Sequence, residues 1–241
     1  MNSVNIIPMA GAGQRYIDAG YTTPKPLIEV DGAPMFINAS KGLPDADQWI
    51  FICNQLHLDQ FNLKEQIENH FSNYVIIPVQ ELTRGQAETV LLAREFVNPD
   101  AQVHVGVSDS FVELPKKSEG LFAKNDAIIW TTKGHNMAVK KPSSYGWVSS
   151  VNGIVKKVSC KVPLSNPETD PMITGAFSFK KASILFGSID SLIYKDIRVN
   201  NEFYLDMALN ETIAGGWTVS CQHSSKYISW GTPDELNAYL K

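Results

Sequence analysis

The sequence predicts an α/β fold: a three-layer sandwich around a mixed, mostly parallel central sheet, with a more antiparallel C-terminal extension. Two observations lead to this class. Apolar, strand-like runs alternate with helix-like segments through the first half of the chain, and the second half is rich in strand-like runs separated by turns. The length of 241 residues and the hydrophobic share of 44% fit one substantial folded domain.

The first half contains four short apolar runs that predict strands, at 4–9, 49–53, 74–79 and 103–107. Helix-like segments lie between them, at 35–41, 58–71 and 86–96. This alternation indicates βαβ units, whose strands run parallel. Because such folds bind ligands at the carboxyl ends of their strands, the residues that follow these runs are candidates for function.

The second half contains further strand-like runs, at 127–132, 145–150, 154–159 and 173–179, and one helix-like segment at 201–214. A turn at Asn152-Gly153 separates two of the strands and indicates a hairpin. No internal repeat and no low-complexity linker interrupts the chain. This half is therefore predicted to extend the sheet in a more antiparallel way.

Composition excludes several classes of function. The net charge of −4 offers no basic field for nucleic acid, and no apolar run approaches the ~20 residues of a membrane span. Cys53, Cys160 and Cys221 lack metal spacing and are interpreted as reduced structural thiols. The N-terminal residues lack the pattern of a secretory signal, so a cytoplasmic location is expected.

The most informative motif lies in residues 9–27, directly after the first predicted strand. Gly11 and Gly13 lack a Cβ, so backbone N–H groups of this turn can approach an anion. Arg15 follows within reach of the same anion, and Lys25 stands between two prolines that restrict its backbone. Bare amides and two cations in this order suit a nucleoside triphosphate.

Two common glycine-rich motifs do not match this segment. The dinucleotide fingerprint needs a third glycine where Tyr16 stands, and an acid where the second strand ends at Asn54. The P-loop pattern Gly-x-x-x-x-Gly-Lys-Ser/Thr is absent from the sequence. A plain strand-to-helix turn is the alternative interpretation of Gly-x-Gly alone, but the added Arg15 and Lys25 favour phosphate binding.

Residues 10–27 resemble the opening signature of the sugar-phosphate nucleotidylyltransferases, in the compact form without a C-terminal β-helix. That signature joins Ala-Ala/Gly-Gly-x-Gly-Ser/Thr-Arg to Pro-Lys-Pro/Ala-Leu across eight residues, and Gln14 replaces its Ser or Thr here. The resemblance implies a Rossmann-like fold. It also implies a single domain over 1–241, with a nucleotide-binding half at 1–112 and an acceptor-binding half at 113–241.

The same resemblance implies three groups of site residues. The catalytic residues are Arg15, Lys25 and Asp109. The nucleotide-binding residues are Ala10, Gly11, Gly13, Gln80, Gly85 and Gln86. The acceptor-binding residues are Tyr145, Gly146, Lys161, Gly175 and Glu202.

Asp109 is the predicted metal ligand. It follows the 103–107 run and resembles the family's Gly-Asp-Asn stretch, which supplies a ligand for Mg²⁺. Mg²⁺ favours one or two carboxylates plus phosphate oxygens, so an Asp at a strand end is a reasonable anchor. A carboxylate that only stabilises a turn is the alternative.

The second metal ligand is open. The family's ligand precedes a late Gly-Thr pair, but Ser229 occupies that position before Gly231-Thr232. Either Asp109 is the one protein carboxylate, or Asp206 or Glu202 takes the role. Glu202 and Asp206 are four residues apart, so on a helix they would share one face. Such a pair of acids more often belongs to a solvent-exposed face.

Base recognition is expected from residues 80–90. The family segment uses a Gln and a Gly five residues later to contact the base, and Gln80 and Gly85 fit, with Gln86 adjacent. An amide can both donate and accept, and a glycine lets a base edge reach the main chain. A loop that caps the following helix is the alternative. A pyrimidine suits this arrangement.

The acceptor side resembles the family in patches. Tyr145-Gly146 matches a Tyr-Gly pair, and Lys161 matches the Lys that holds the acceptor phosphate. Cys160 replaces a Glu that often meets sugar hydroxyls, so the sugar itself is open. Thr174-Gly175 matches the next turn on this side.

These residues predict a Mg²⁺-dependent nucleotidylyltransferase, or pyrophosphorylase, that joins an NTP to a sugar phosphate or similar phosphorylated metabolite. Since the attacking phosphate is already anionic, the reaction needs positioning and charge neutralisation more than a strong base. Nucleotide-sugar or surface-polysaccharide biosynthesis is the expected setting, and a homo-oligomer is left open. The alternatives are a related glycosyltransferase, although Ser108-Asp-Ser110 lacks its Asp-x-Asp motif, and an inactive nucleotide-binding regulatory protein.

Overall fold

The computed structural model describes residues 2–117 and 120–241 of the chain. In chain order the strands are β1 (Ser3–Met9), β2 (Glu29–Val30), β3 (Ala33–Pro34), β4 (Gln48–Asn54), β5 (Tyr74–Val79), β6 (Gln102–Val105), β7 (Ser110–Val112), β8 (Ala127–Thr132), β9 (Gly146–Val151), β10 (Ile154–Cys160), β11 (Met172–Phe179), β12 (Val219–His223) and β13 (Tyr227–Ser229). The α-helices are α1 (Gln14–Asp18), α2 (Met35–Ser40), α3 (Gln55–Gln60), α4 (Leu63–His70), α5 (Gln86–Leu91), α6 (Asn136–Lys140), α7 (Ala182–Tyr194), α8 (Leu205–Ala214) and α9 (Pro233–Tyr239). Short 3-10 helices occur at Lys25–Leu27, Arg94–Phe96 and Pro142–Ser144.

The main sheet of the described residues has nine strands in the order β5-β4-β1-β6-β11-β8-β12-β10-β9. Strands β5, β4, β1 and β6 run parallel, whereas β11 pairs antiparallel with β6 and with β8. Strand β12 runs parallel to β8, and β9 and β10 form an antiparallel pair. The predicted class is confirmed: a mixed sheet that is parallel in the first part of the chain and more antiparallel towards the C-terminus.

Alternate residues of β1 point to opposite faces of the sheet, which places a helix layer on each side. Val4 and Ile6 pack into a buried cluster with residues of α5, α7 and α8. Ile7 and Met9 pack into a second cluster with residues of α2 and α4. Because β1 is buried on both faces, its sequence is a continuous apolar run, as expected for a central parallel strand. The three-layer sandwich follows from these two clusters.

Several elements differ from those that the sequence predicts. Helix α7 and strand β12 are additional: the central Gly187 weakens the helical pattern of α7, and β12 is too polar for an apolar run. The helix predicted over 58–71 consists of α3 and α4, which are separated at Phe61-Asn62. The helix predicted over 201–214 begins only at Leu205, since Glu202 pairs with Val199 in an isolated bridge before it.

The parallel pairing of β1 with β6 positions the candidate site. Both strands end at the same edge of the sheet, so the glycine segment after β1 and Asp109 after β6 are neighbours there. A small ladder of β7 with β13 brings residues 227–229 to this edge. The predicted division into halves at residue 112 stays a prediction; β6 and β11 join the two parts within one sheet.

Among the helices described for residues 2–117 and 120–241, none combines the length and the apolar character that a membrane crossing requires.

Candidate active site

The glycine segment forms a tight turn between β1 and α1. Gly13 has φ 68°, a left-handed conformation that favours glycine, and it stands at the N-cap of α1. A Cβ on Gly13 would lie 3.1 Å from the Cβ of Lys25, so this glycine also lets the Lys25 segment approach the turn. Gly11 has open space around it, and Ala10 is buried beneath the turn. The sequence motif therefore folds into one compact unit, as its spacing predicts.

Lys25 joins three segments of the chain at this edge. Its Nζ lies 2.5 Å from Oδ2 of Asp109 and donates a second hydrogen bond to the carbonyl oxygen of Gly231 at 3.0 Å. The same Nζ lies 5.4 Å from the centre of the Tyr16 ring, a cation–π distance. The side chains of Lys25 and Asp109 are 17% and 29% exposed, so the pair faces a cavity without being fully withdrawn from solvent.

The carboxyl of Asp109 stays ionised despite its surroundings. Burial acts to raise its pKa, but the charge and hydrogen bond of Lys25, together with Ser110 and the charge of Arg15, hold the pKa below its usual range. Asp109 is therefore a carboxylate, available to a cation whenever Lys25 finds another anion.

A cavity of about 500 Å³, called the Tyr145 cavity below, opens beside this pair. Residues from distant parts of the chain line it together. Those that the sequence predicts are Arg15, Asp109, Tyr145, Gly146, Gly175 and Asp206. Two of the predicted catalytic residues, Arg15 and Asp109, thus share one space with most of the predicted acceptor residues.

Asp206 lies against Gly146 in the Tyr145 cavity. A Cβ on Gly146 would lie only 2.2 Å from Oδ2 of Asp206, so a glycine is required for the carboxylate to sit there. Burial raises the pKa of Asp206 to about 6, and the charge of Lys161 opposes that rise. Asp206, which stands in the first turn of α8, is a carboxylate that a ligand in this cavity would meet.

A second cleft of about 380 Å³, called the glycine-loop cleft, lies along the turn after β1. It is lined by predicted residues of the nucleotide group and by Glu202: Ala10, Gly11, Gly13, Gly85, Gln86 and Glu202. Glu202 therefore lies on the glycine-loop side, not in the Tyr145 cavity where the predicted acceptor residues gather.

Gly85 has a structural reason to be glycine. Its φ of 131° is unfavourable for other residues, and a Cβ would lie 2.6 Å from the backbone N and O of Phe203. The backbone of Phe203 makes hydrogen bonds to the residues on either side of Gly85. Its N–H donates to the Arg84 carbonyl oxygen at 2.7 Å, and its carbonyl oxygen accepts from the Ala87 N–H at 3.0 Å. Gly85, Gln86 and Glu202, which flank this contact, line the glycine-loop cleft.

Besides Lys25, two predicted residues line neither of these spaces. Gln80 is exposed directly after β5. Lys161 has φ 63° and holds its Nζ 4.8 Å from the centre of the Tyr204 ring, near Asp206 but outside the lining of both clefts. Their roles in base and acceptor binding stay predictions.

The carboxylate at this edge of the sheet fits a magnesium ion that also binds phosphate oxygens. Across residues 2–117 and 120–241, no group of three or more His, Cys, Asp or Glu is arranged to hold a metal by itself. Ser229 pairs with Ser110 in the β7–β13 ladder, so the hydroxyl residue that replaces the family's second Asp lies beside Asp109. One carboxylate with phosphate oxygens matches the preference of Mg²⁺ for few protein ligands.

Glu235 is a candidate site residue that the sequence analysis did not single out. It is 7% exposed and lines the Tyr145 cavity, where its Oε1 accepts a hydrogen bond of 2.9 Å from the Tyr145 hydroxyl. Its backbone N–H donates to Oγ1 of Thr232, the N-cap of α9. The pattern Thr-Pro-Asp-Glu at 232–235 is a capping box, and this signal would have marked a helix start at Thr232.

The fold and the glycine turn define an α/β protein of the class that binds nucleotides at the carboxyl edge of its sheet. A family model described as nucleotidyl transferase matches residues 4–197, and the chain belongs to this family. The resemblance found in the sequence is confirmed by this match.

Solved structures share the fold over nearly the whole chain. A nucleoside-diphosphate-sugar pyrophosphorylase from Vibrio cholerae RC9 has a TM-score of 0.81 at 22% identity, covering 98% of this chain and 99% of that one. The inositol-1-phosphate CTP transferase from T. maritima has a TM-score of 0.74 at 15% identity, with 98% and 92% covered. A UDP-glucose pyrophosphorylase complexed with UDP-glucose has a TM-score of 0.74 at 17% identity, with 100% and 99% covered. These similarities confirm the predicted Rossmann-like fold.

Proposed function

We propose that this protein is a Mg²⁺-dependent nucleotidylyltransferase that couples an NTP to a sugar phosphate or a similar phosphorylated metabolite and releases pyrophosphate. The observation that carries the proposal is the position of Lys25. Its side chain lies against Gly13, which lines the glycine-loop cleft, and its Nζ binds Asp109 and Gly231, which line the Tyr145 cavity. Two substrates, one in each space, would meet at this lysine.

The paired state of Lys25 and Asp109 suggests how the triphosphate binds. Backbone N–H groups at residues 11–13 and the guanidinium of Arg15 bind the triphosphate, and the Lys25 ammonium moves from the carboxylate to phosphate oxygens. Asp109 is then free to hold Mg²⁺, which, when bound, neutralises phosphate charge. Lys25 exchanges a carboxylate for phosphate, and Asp109 exchanges an ammonium group for Mg²⁺. Neither charge is therefore left unpaired.

The reaction itself needs little proton transfer from the protein. The acceptor phosphate attacks the α-phosphorus and pyrophosphate leaves in line, so alignment and charge stabilisation lower the barrier. Lys25 and Arg15 would stabilise the negative charge that develops on the transferred phosphoryl oxygens. Histidine chemistry is not required.

A pyrimidine base is the proposed preference. Gly85 and Gln86 bring backbone groups and an amide to the wall of the glycine-loop cleft. Two proteins of the same fold carry pyrimidine nucleotides in their names, the CTP transferase and the UDP-glucose enzyme. Gln80 would contact the base after a shift of the exposed segment that follows β5.

The acceptor is proposed to lie in the Tyr145 cavity, with Tyr145, Gly146, Gly175 and Asp206 around its organic part. Lys161 would turn from the Tyr204 ring to the acceptor phosphate. Nucleotide-sugar formation for surface polysaccharide, in the cytoplasm where NTPs are made, is the setting that these substrates suggest.

The test is a pyrophosphate-release screen that crosses the four NTPs with sugar phosphates and other phosphorylated metabolites, with and without Mg²⁺. We expect release with a pyrimidine NTP and one acceptor class, dependent on both substrates. Binding of NTP by calorimetry without turnover across the panel would favour a regulatory nucleotide-binding protein. Release of a nucleoside diphosphate from an NDP-sugar would favour a glycosyltransferase.

A further inference from the structure

The carboxylate of Glu235 connects two parts of the candidate site. Its Oε1 accepts from the Tyr145 hydroxyl at 2.9 Å, and its Oε2 accepts from the Thr232 hydroxyl at 3.0 Å. Tyr145 lines the cavity beside the Lys25 edge, whereas Thr232 follows Gly231, whose carbonyl oxygen binds Lys25. A single buried side chain thus touches the wall of one space and the turn that holds the central lysine.

Helix capping alone does not account for this carboxylate. A capping box uses the Glu side chain to reach a backbone N–H of the N-cap residue. Here both oxygens are occupied by hydroxyl groups, and one of these belongs to Tyr145, which is 90 residues away in sequence. Thr232 already caps α9 through its own Oγ1, which accepts from the backbone of Glu235. The bond to Tyr145 is therefore additional to the cap.

Tyr145 is held by contacts at both its ring and its hydroxyl. Its ring packs edge-on against His135, with 5.9 Å between the ring centres, and Glu235 is the partner of its hydroxyl in the described structure. Burial first, and then the charge and hydrogen bond of Glu235, raise the pKa of Tyr145, so the phenol stays a protonated donor. A protonated hydroxyl bound to a fixed carboxylate holds the ring in one position.

We propose that Glu235 is a positioning residue that fixes Tyr145 for the acceptor. This inference rests on the proposed transferase function and adds a residue to it. The bond from Tyr145 is the contact that Glu235 makes with a wall of the proposed acceptor space, so its removal is expected to raise the acceptor KM more than the NTP KM.

The test compares steady-state kinetics of Glu235→Ala, Tyr145→Phe and the double variant with the wild type. We expect Glu235→Ala to raise the acceptor KM about tenfold, the loss expected for one buried hydrogen bond to a charged group, with the NTP KM within about twofold. The double variant is expected to resemble Tyr145→Phe alone, because the two residues act as one unit. Glu235→Gln, whose amide oxygen still accepts from Tyr145, is expected to restore most of the acceptor affinity.

A stability control separates positioning from simple support of α9. Leu236 is buried next to Glu235 on the same helix, and Leu236→Val loosens the packing of α9 without touching Tyr145. This variant is expected to lower Tm without changing the acceptor KM. If Glu235→Ala does not fold, Glu235→Leu removes the same oxygens while keeping the volume and takes its place in the comparison.

The outcomes distinguish the inference from the function on which it rests. Turnover by the wild type with an unchanged acceptor KM in Glu235→Ala, or strictly additive effects with Tyr145→Phe, would overturn the role of Glu235 and leave the transferase proposal standing. An equal rise in acceptor KM for Leu236→Val would also overturn it. Failure of the wild type to release pyrophosphate with any substrate pair would overturn both.

Discussion

Nζ of Lys25 lies 2.5 Å from Oδ2 of Asp109, although 84 residues separate the two in sequence. The pair ties the segment after β1 to the segment after β6, and the carbonyl oxygen of Gly231 adds the segment before α9. Removing one member of a partly buried pair leaves the other charge without its partner, which costs more than the pair contributes when intact. Substitutions at either position therefore act on both groups.

Lys25→Ala is expected to reduce kcat/KM for pyrophosphate release by about 10²–10³, the usual loss for a removed donor to developing charge. The matched control is Lys64→Ala, because Lys64 is a 67% exposed lysine on α4 outside the site. Kinetics at saturating acceptor measure the effect. Equal activities of the two variants would rule out a catalytic role for Lys25.

Asp109→Asn is expected to raise the Mg²⁺ concentration needed for half-maximal rate by at least about tenfold. The amide keeps the shape of the side chain but removes its charge, and the loss of even an outer partner of a metal site costs about 10–100-fold. The measurement is a titration of MgCl₂ against the rate of pyrophosphate release. Asp100→Asn, at a surface Asp that is 75% exposed, is the control and should leave the titration unchanged. An unaltered curve for Asp109→Asn would exclude it as the metal ligand.

Asp206→Asn is expected to stabilise the protein at neutral pH and not at acid pH. The folded-state pKa of about 6 lies above the ordinary value of 3.8, so the folded protein takes up this proton first as the pH falls. The contribution of this proton to the free energy of unfolding is complete below pH 3.8, the ordinary pKa of an aspartate. It is lost as the pH rises through about 6, the pKa of Asp206 in the folded protein. At pH 7.5 the wild type holds a partly buried charge that the neutral amide lacks.

Thermal melts at pH 4 and 7.5 measure this difference. We expect Asp206→Asn to raise Tm by about 2–4 °C at pH 7.5, equivalent to about 1 kcal/mol, with no gain at pH 4. Asp59→Asn, at an exposed aspartate of α3, should show no such dependence on pH. The same gain at both pH values would show that charge burial is not the cause.

Gly85→Ala is expected to destabilise the protein by about 2–4 kcal/mol, since the new Cβ meets the backbone of Phe203 at a left-handed φ. Gly187→Ala is the matched control: it lies in α7 with open space around it, and should gain about 0.5–1 kcal/mol. Urea unfolding monitored by circular dichroism measures both. A neutral Gly85→Ala would show that the backbone of Phe203 can move away from a Cβ at position 85 without cost.

The sequence allowed the parallel part of the sheet to be predicted because strands buried on both faces are continuous apolar runs, as in β1 and β4. It allowed the Lys25 motif to be recognised because the glycines, the arginine and the lysine lie within one short segment. Both predictions rest on residues that lie close together in the sequence.

The remaining parts depend on contacts that no local pattern encodes. The hydrogen bond between Tyr145 and Glu235 joins residues 90 positions apart, and the placement of Asp206 depends on the missing side chain of Gly146. Helix α7 was not predicted because Gly187 and its β-branched residues lower the helical preference, which packing against α8 overcomes in the fold. The position of Glu202 in the glycine-loop cleft likewise follows from the irregular segment before α8.

The pairing of β6 with β11 has a consequence for the synthesis of the chain. Strand β6 lies inside the sheet only because Met172–Phe179, made much later, pairs along its free side. Until that strand emerges from the ribosome, the N–H and C=O groups of β6 form an open edge that can template pairing with another molecule. A gene split after residue 112 would thus yield an aggregation-prone first fragment, which only co-expression with the second fragment would rescue.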